Sequence, residues 1–338
     1  MPQDDRPRNI ILVIGDGMGL AHIALAEYLH KPPSPIRQME VIGLQKTHSA
    51  THLVTDSGAA GTAMSCGVKT FNSAIGLDAD STPVKTIMEL ARDNGIKTGF
   101  VVTSTVVHAT PASFYAHVKS RGAYEQIASQ LVESGIDVFV GGGERYFSNR
   151  DGDKADLIKA LQANNYAVIQ SEDTHNRYRL GKIDPAWRIA CFTAMEDPQR
   201  ASSGRTWFPY IVQHAIDALK KREKRGYLMM IEASQVDWAS HANNTDWLVP
   251  ELQDAFTMLD MLVKRVKQDG NTLLIVTADH ECGNISLRGK RAPRVEFNGK
   301  VHSPYMVPVF ATGPGAELFA GIYENTEIFE KIRYLMGI

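Results

Sequence analysis

Short apolar runs that read as buried strands alternate with amphipathic helical stretches along almost the whole chain, and this alternation narrows the fold more than any other feature. The strand-like runs are Asn9–Gly15, Val41–Thr47, Thr98–Thr103, Val138–Val140, Ile189–Phe192, Tyr227–Glu232, Thr272–Thr277 and Val307–Thr312. Helical patterns fall near Leu20–His30, after Asp56, and near Pro83–Asn94, Ala123–Glu133, Lys154–Asn164, Phe208–Arg222, Asp246–Gln268 and Thr326–Met336. That order predicts a three-layer α/β/α protein built on a central, largely parallel mixed sheet. The turn-rich stretches Lys31–Pro35, Asn149–Asp153 and Arg288–Lys300 are short, and no repeat or linker separates the elements. One domain over residues 1–338 is therefore expected.

In such sheets ligands bind outside the carboxyl ends of the strands, so the polar residues that follow apolar runs are the place to look for chemistry. Charge excludes some partners. Lys and Arg total 36 against 38 Asp and Glu, a net charge of −2, which gives no overall attraction to nucleic acid or to an anionic membrane. The longest apolar runs are far short of the ~20 residues that cross a bilayer. The start Met-Pro-Gln-Asp-Asp-Arg does not read as a signal peptide, which leaves a cytoplasmic protein or a mature exported form as the two expectations. Three widely spaced cysteines, Cys66, Cys191 and Cys282, give no disulfide framework and no Cys-x-x-Cys metal site, and they read as buried thiols.

Five segments place metal-binding and nucleophilic groups at strand ends. The first run closes on Gly15-Asp16-Gly17, with a carboxylate between glycines; His22 stands where a third glycine would complete a dinucleotide-binding turn. Val54-Thr55-Asp56-Ser57-Gly58-Ala59-Ala60 puts a serine at a predicted helix start, where free amides favour a phosphate; an ordinary Asp or Ser N-cap is the competing interpretation. No Gly-x-Ser-x-Gly elbow surrounds Ser57, so activation would have to come from a metal. Glu232 ends an apolar run and is followed by Asp237 and His241, four apart and so on one helical face. Asp279 and His280 follow another run, and His302 precedes Val307–Thr312. His48, His52, His117, His175 and His214 read as structural or solvated; Cys282, three residues beyond Asp279, is close enough to be a ligand in principle, and a packed thiol is the favoured reading.

These segments, together with Ala109-Thr110-Pro111-Ala112 and Ser120-Arg121, resemble the alkaline phosphatase family in order, spacing and flanks over nearly the whole chain. The resemblance implies a broad-specificity phosphomonoesterase that works at alkaline pH through a phosphoserine on Ser57. It implies two zinc ions, the first held by Asp237, His241 and His302, and the second by Asp16, Asp279, His280 and the Ser57 oxygen. A third site, usually magnesium, would be completed by Asp16, Thr110 and Glu232. Arg121 is similar to the arginine that clamps the phosphate, for which a two-pronged guanidinium is better suited than a lysine. Small phosphate monoesters are the implied substrates, a homodimer the implied assembly, and the periplasm or exterior the implied location.

Two positions depart from the family's much-studied bacterial form, which has Asp in place of His108 and Lys in place of Trp238; animal members have His at both. The positions adjoin the third metal and the phosphate. An imidazole at His108 can enter that metal's shell and favour a transition metal over magnesium, so the third site is expected to tolerate zinc, and product phosphate to leave readily past Trp238. A sulfatase or phosphodiesterase of the same superfamily is the nearest alternative. The sulfatase pattern Cys/Ser-x-Pro-x-Arg is not met, since Ser57 precedes Gly58-Ala59-Ala60. A non-catalytic phosphate-binding or metal-storage protein is a third, and Ser57 with Arg121 speaks against it.

Overall fold

The computed structural model describes residues 6–30, 34–173 and 176–338, with no side-chain description for residues 176–178. Fourteen strands run in chain order among these residues: β1 (Asn9–Gly15), β2 (Val41–Lys46), β3 (Lys97–Thr105), β4 (Val138–Gly142), β5 (Tyr166–Ile169), β6 (Arg188–Phe192), β7 (Tyr227–Ala233), β8 (Thr272–Ala278), β9 (Glu281–Cys282), β10 (Ile285–Arg288), β11 (Arg294–Phe297), β12 (His302–Ser303), β13 (Val307–Thr312) and β14 (Gly321–Glu324). The α-helices are α1 (Leu20–Leu29), α2 (Ser57–Cys66), α3 (Ile87–Asp93), α4 (Ala109–Ala112), α5 (Tyr124–Glu133), α6 (Arg145–Ser148), α7 (Leu157–Ala163), α8 (Phe208–Arg222), α9 (Gln235–His241), α10 (Thr245–Asp269) and α11 (Thr326–Met336). His175 and Lys31–Pro33 lie outside the described residues.

Ten strands form one sheet in the order β14-β2-β13-β8-β1-β7-β3-β4-β6-β5. Among them β13 alone is antiparallel to its neighbours, β2 and β8. The central strand β1 shows why the sheet has two covered faces. Every residue of it is buried, and its side chains alternate between two cores. Ile11 and Val13 pack with Met229, Leu274 and residues of α8 and α10, while Ile10, Leu12 and Ile14 pack with Leu228, Leu273 and residues of α3, α5 and α11. The expected three layers are thus present. β7 and β8 flank β1 in register, with Gly15 opposite Ala233 on one side and Ala278 on the other. The three strands therefore end level, and the residues that follow them meet at one edge.

Several boundaries differ from the sequence expectation for local reasons. Helix α3 starts at Ile87 and not near Pro83, because Thr86 and Glu89 form a capping box that fixes the first turn. Helix α7 starts at Leu157, capped by Asp156, which accepts from the Lys159 amide. The turn-rich Arg288–Lys300 stretch contributes Arg288 to β10 and encloses β11, which pairs with it. The edge strands β5 and β14 were not anticipated from the sequence.

Helix α2 is buried along its whole length, which its run of small residues permits. A Cβ on Gly61 would lie 2.8 Å from Ser113 Oγ, so this glycine is a packing requirement between α2 and the segment after α4. Gly61→Val is expected to destabilise the protein by about 2 kcal/mol through overpacking, measured by urea unfolding. An unchanged midpoint would show that the contact yields without strain.

Candidate active site

Asp56 is the N-cap of α2, and Ser57 is the first helical residue. Asp56 Oδ1 accepts from the amides of Ala59 and Ser73, and its Oδ2 accepts from Arg121 at 3.0 Å. The capping duty thus falls on Asp56, leaving the Ser57 hydroxyl to face inward, 3.3 Å from His280 Nε2. That network was not visible in the sequence beyond the Asp-Ser pair. It fixes the helix start, the serine and the arginine against one another, since the Arg121 amide also donates to Ser73 O.

Three donor sets surround the serine. Asp237, His241, Cys282 and His302 form one, Asp16, Asp279 and His280 a second, and Asp16, His108 and Glu232 a third, the ligating atoms of each set lying within 4.8 Å of one another. All the candidate residues named from sequence come together here: Thr110 Oγ1 faces Glu232, Trp238 packs edge-on against His108 with ring centroids 5.5 Å apart, and Arg121 reaches His108 Nε2 at 3.4 Å. Cys282, read from sequence as a packed thiol, is buried but stands within the first set. The alternation of side chains along β9 is the signal that places it there, because it shares a side with His280.

The residues fit metal ions. In the first set His241 Nδ1 lies 2.6 Å from Lys300 O, and His302 Nδ1 lies 2.9 Å from Thr55 O. A carbonyl can only accept, so in the neutral ring each Nδ1 carries the proton and each Nε2 is left with a lone pair. The two Nε2 atoms are 3.0 Å apart and both face Asp237. Two imidazole lone pairs and a carboxylate aimed at one point form a cation site with its orienting partners already in place. Buried oxygens mark the other two: both Asp16 oxygens and Glu232 Oε1 have no hydrogen-bond partner, and Asp279 Oδ2 faces His280 Nε2 at 3.1 Å.

Electrostatics point the same way. Burial raises the Asp16 carboxyl far above its usual range, and the neighbouring charges of Asp279, Asp237 and Glu232 raise it further. Burial likewise pushes Glu232 up to about 7. Without a cation, these carboxylates cannot all ionise. Burial would also raise Asp237, but the imidazoles of His241 and His302 override that and hold it well below the usual carboxylate range. In return Asp237 lifts His241 to about 8, so a proton stands where an ion would bind and is displaced by it. His108 is held neutral, pushed down to about 3 by burial and then by Arg121, and a neutral imidazole is what a metal requires.

Known proteins resemble this chain over most of its length. The alkaline phosphatase family model matches residues 7–297. The chain belongs to the alkaline phosphatase family. It is 32% identical over 295 residues to alkaline phosphatase 4 of Bacillus subtilis, an alignment covering 83% of this chain and 62% of that one. It thus spans somewhat over three-fifths of the curated Bacillus relative. The structure of the alkaline phosphatase from the Antarctic bacterium TAB5 is 40% identical, matches with a TM-score of 0.93, and covers 98% of each chain. A histidine-to-aspartate variant of that protein, 39% identical with the same TM-score, has Mg bound in its M3 site. Among the described residues no helix is long and apolar enough to cross a membrane.

Proposed function

We propose that this chain is a metal-dependent phosphomonoesterase acting on phosphate monoesters of broad specificity at alkaline pH through a phosphoserine on Ser57. The observation that carries the reading is the buried Ser57 hydroxyl at the start of α2, 3.3 Å from His280 and with a donor set around that histidine. Zinc held by Asp237, His241 and His302 and by Asp16, Asp279 and His280, with magnesium or a transition metal on Asp16, Thr110, Glu232 and His108, would supply Lewis-acid charge to the phosphoryl and reacting oxygens.

The protein's own groups do the rest. Asp56 takes the Ala59 and Ala60 amides at the helix start. The earlier amides, those of Ser57 and Gly58, are left to face phosphoryl oxygens at the positive end of the helix dipole. Arg121, held on one edge by Asp56, keeps further N–H groups for the phosphoryl oxygens and supplies the planar donor pair they need. Ser57 Oγ attacks phosphorus as the P–O bond to the alcohol breaks, and its proton passes through solvent to the departing oxygen; water then attacks the phosphoserine in line, one of its protons going to the serine oxygen as phosphate is released. Every group gathered here addresses the phosphoryl moiety, which supports breadth in the alcohol. We extend the proposal to one catalytic domain, a homodimer, and a periplasmic or secreted location on the strength of the family membership.

The test compares an aryl phosphate, a bis-aryl phosphate and an aryl sulfate on the zinc- and magnesium-loaded protein. The monoester should be preferred by at least about a hundredfold in kcat/KM, since the diester lacks the second anionic oxygen that the cationic groups recognise. Equal or better turnover of the diester or sulfate would assign the site to the alternative enzymes of the superfamily.

His108 and Trp238 carry a second expectation. With His108 in reach of Asp16 and Glu232, the third site should accept zinc in the unmodified protein. His108→Asp combined with Trp238→Lys should shift it to magnesium and lower the inhibition constant for phosphate several-fold, as an added cation holds product. The magnesium-bearing variant of the Antarctic relative supports the first half. Zinc-edge anomalous scattering and phosphate inhibition check both; a magnesium-only site in the unmodified protein would contradict the expectation.

A further inference from the structure

The first donor set contains a group that the proposed chemistry does not use. Strand β9 turns the side chains after β8 alternately inward and outward. His280 faces the serine; Glu281 faces away, where its carboxylate accepts from the Ser303 hydroxyl and the Ile285 amide; Cys282 faces inward again. The pairing of β9 with β12 puts Cys282 directly opposite His302, so the two side chains are cross-strand neighbours. From the other side the turn after β1 presses close. A Cβ on Gly17, whose φ is +71°, would stand 2.9 Å from both Asp237 Oδ1 and Cys282 Cβ. The sulfur lies within 4.8 Å of the ligating atoms of Asp237, His241 and His302. Asp237 Oδ1, which shares that space, is buried and lies 3.4 Å from His302 Nε2, so the thiol, the carboxylate and the imidazole converge on one point.

We propose that Cys282 is a fourth protein donor to the ion held by Asp237, His241 and His302. The inference rests on the reading that these three residues bind a metal. As the sulfur–metal bond forms, the thiol proton leaves to solvent, and the ion gains a soft ligand beside one oxygen and two nitrogens. Zinc, cobalt and cadmium suit that donor set and magnesium does not, so the thiolate makes the first site selective against magnesium.

Cobalt substitution tests the proposal without reference to activity. The cobalt-loaded protein should show near-ultraviolet thiolate-to-cobalt charge transfer, and the zinc-loaded protein a sulfur shell at about 2.3 Å in X-ray absorption. Neither Cys66 nor Cys191 belongs to a donor set among the described residues, so either signal reports Cys282. Cys282→Ser should lose both signals and bind cadmium roughly tenfold more weakly, with magnesium binding unchanged. Cobalt bound to the unmodified protein with only nitrogen and oxygen neighbours would overturn the proposal while leaving the metal reading intact, whether or not the variant folds. Persistence of charge transfer in Cys282→Ser would also overturn it. Absence of bound cobalt or zinc, by elemental analysis, would instead overturn the metal reading and this proposal together.

Discussion

Ser57→Ala will lower kcat for an aryl phosphate by about a thousandfold or more while leaving the fold and the metal content in place. The size follows from the role: a nucleophile that carries the phosphoryl group has no substitute among the groups around it, and whatever turnover remains comes from binding and charge stabilisation alone. The selectivity follows from the structure. Asp56, and not Ser57, caps α2, so the alanine keeps the cap, and stability should change by under ~1 kcal/mol. The two donor sets that flank the serine retain their carboxylates and imidazoles, so zinc stoichiometry should be preserved. Kinetics, urea unfolding and elemental analysis on one preparation separate these effects. Near-normal kcat with normal metal content would mean that another oxygen attacks phosphorus.

Removal of the metals will abolish turnover and also cost stability increasingly as pH rises. Glu232 is raised from 4.5 to about 7 by burial, and Asp16 is raised further by the carboxylates beside it. The sign is that of a group with a raised folded pKa. In the metal-free protein, the stability contributed by these two carboxyls is fully present below the unfolded carboxylate range and is lost as pH rises toward 7, by on the order of 3 kcal/mol for Glu232 alone. Bound cations favour the ionised carboxylates and remove that loss. The difference in melting temperature between the loaded and the chelated protein should therefore widen from pH 5 to pH 8. Zinc, with magnesium, should restore both stability and aryl phosphate hydrolysis. A gap that stays constant over this range would show that the buried carboxylates are not what the ions neutralise.

Much of this architecture could be read from the sequence because the central strands are buried on both faces. β1, β7 and β8 are continuous apolar runs, and each hands a polar residue to the same edge of the sheet: Asp16, the Glu232–His241 segment, and Asp279 with His280. The edges were less legible. β14 has only four residues with Ile322 exposed, and β5 likewise has only four, so their pairing depends on neighbours and not on their own pattern. The anchoring of Arg121 by Asp56 joins residues 65 positions apart, a separation that no local motif announces. Cys282 is buried, as its reading as a packed thiol expects, and its place three residues after Asp279 put it near the donors. The register of β9 against β12 sets it opposite His302.

One measurement decides whether Ser57 carries the phosphoryl group. The metal-loaded protein is mixed with a substrate labelled in its phosphoryl group, quenched in acid within a turnover, digested and mapped. Label should appear on the peptide that carries Ser57, as acid-stable phosphoserine, and be lost in Ser57→Ala. Label on another residue, or steady turnover with no labelled protein at any quench time or pH, would contradict a phosphoserine at Ser57.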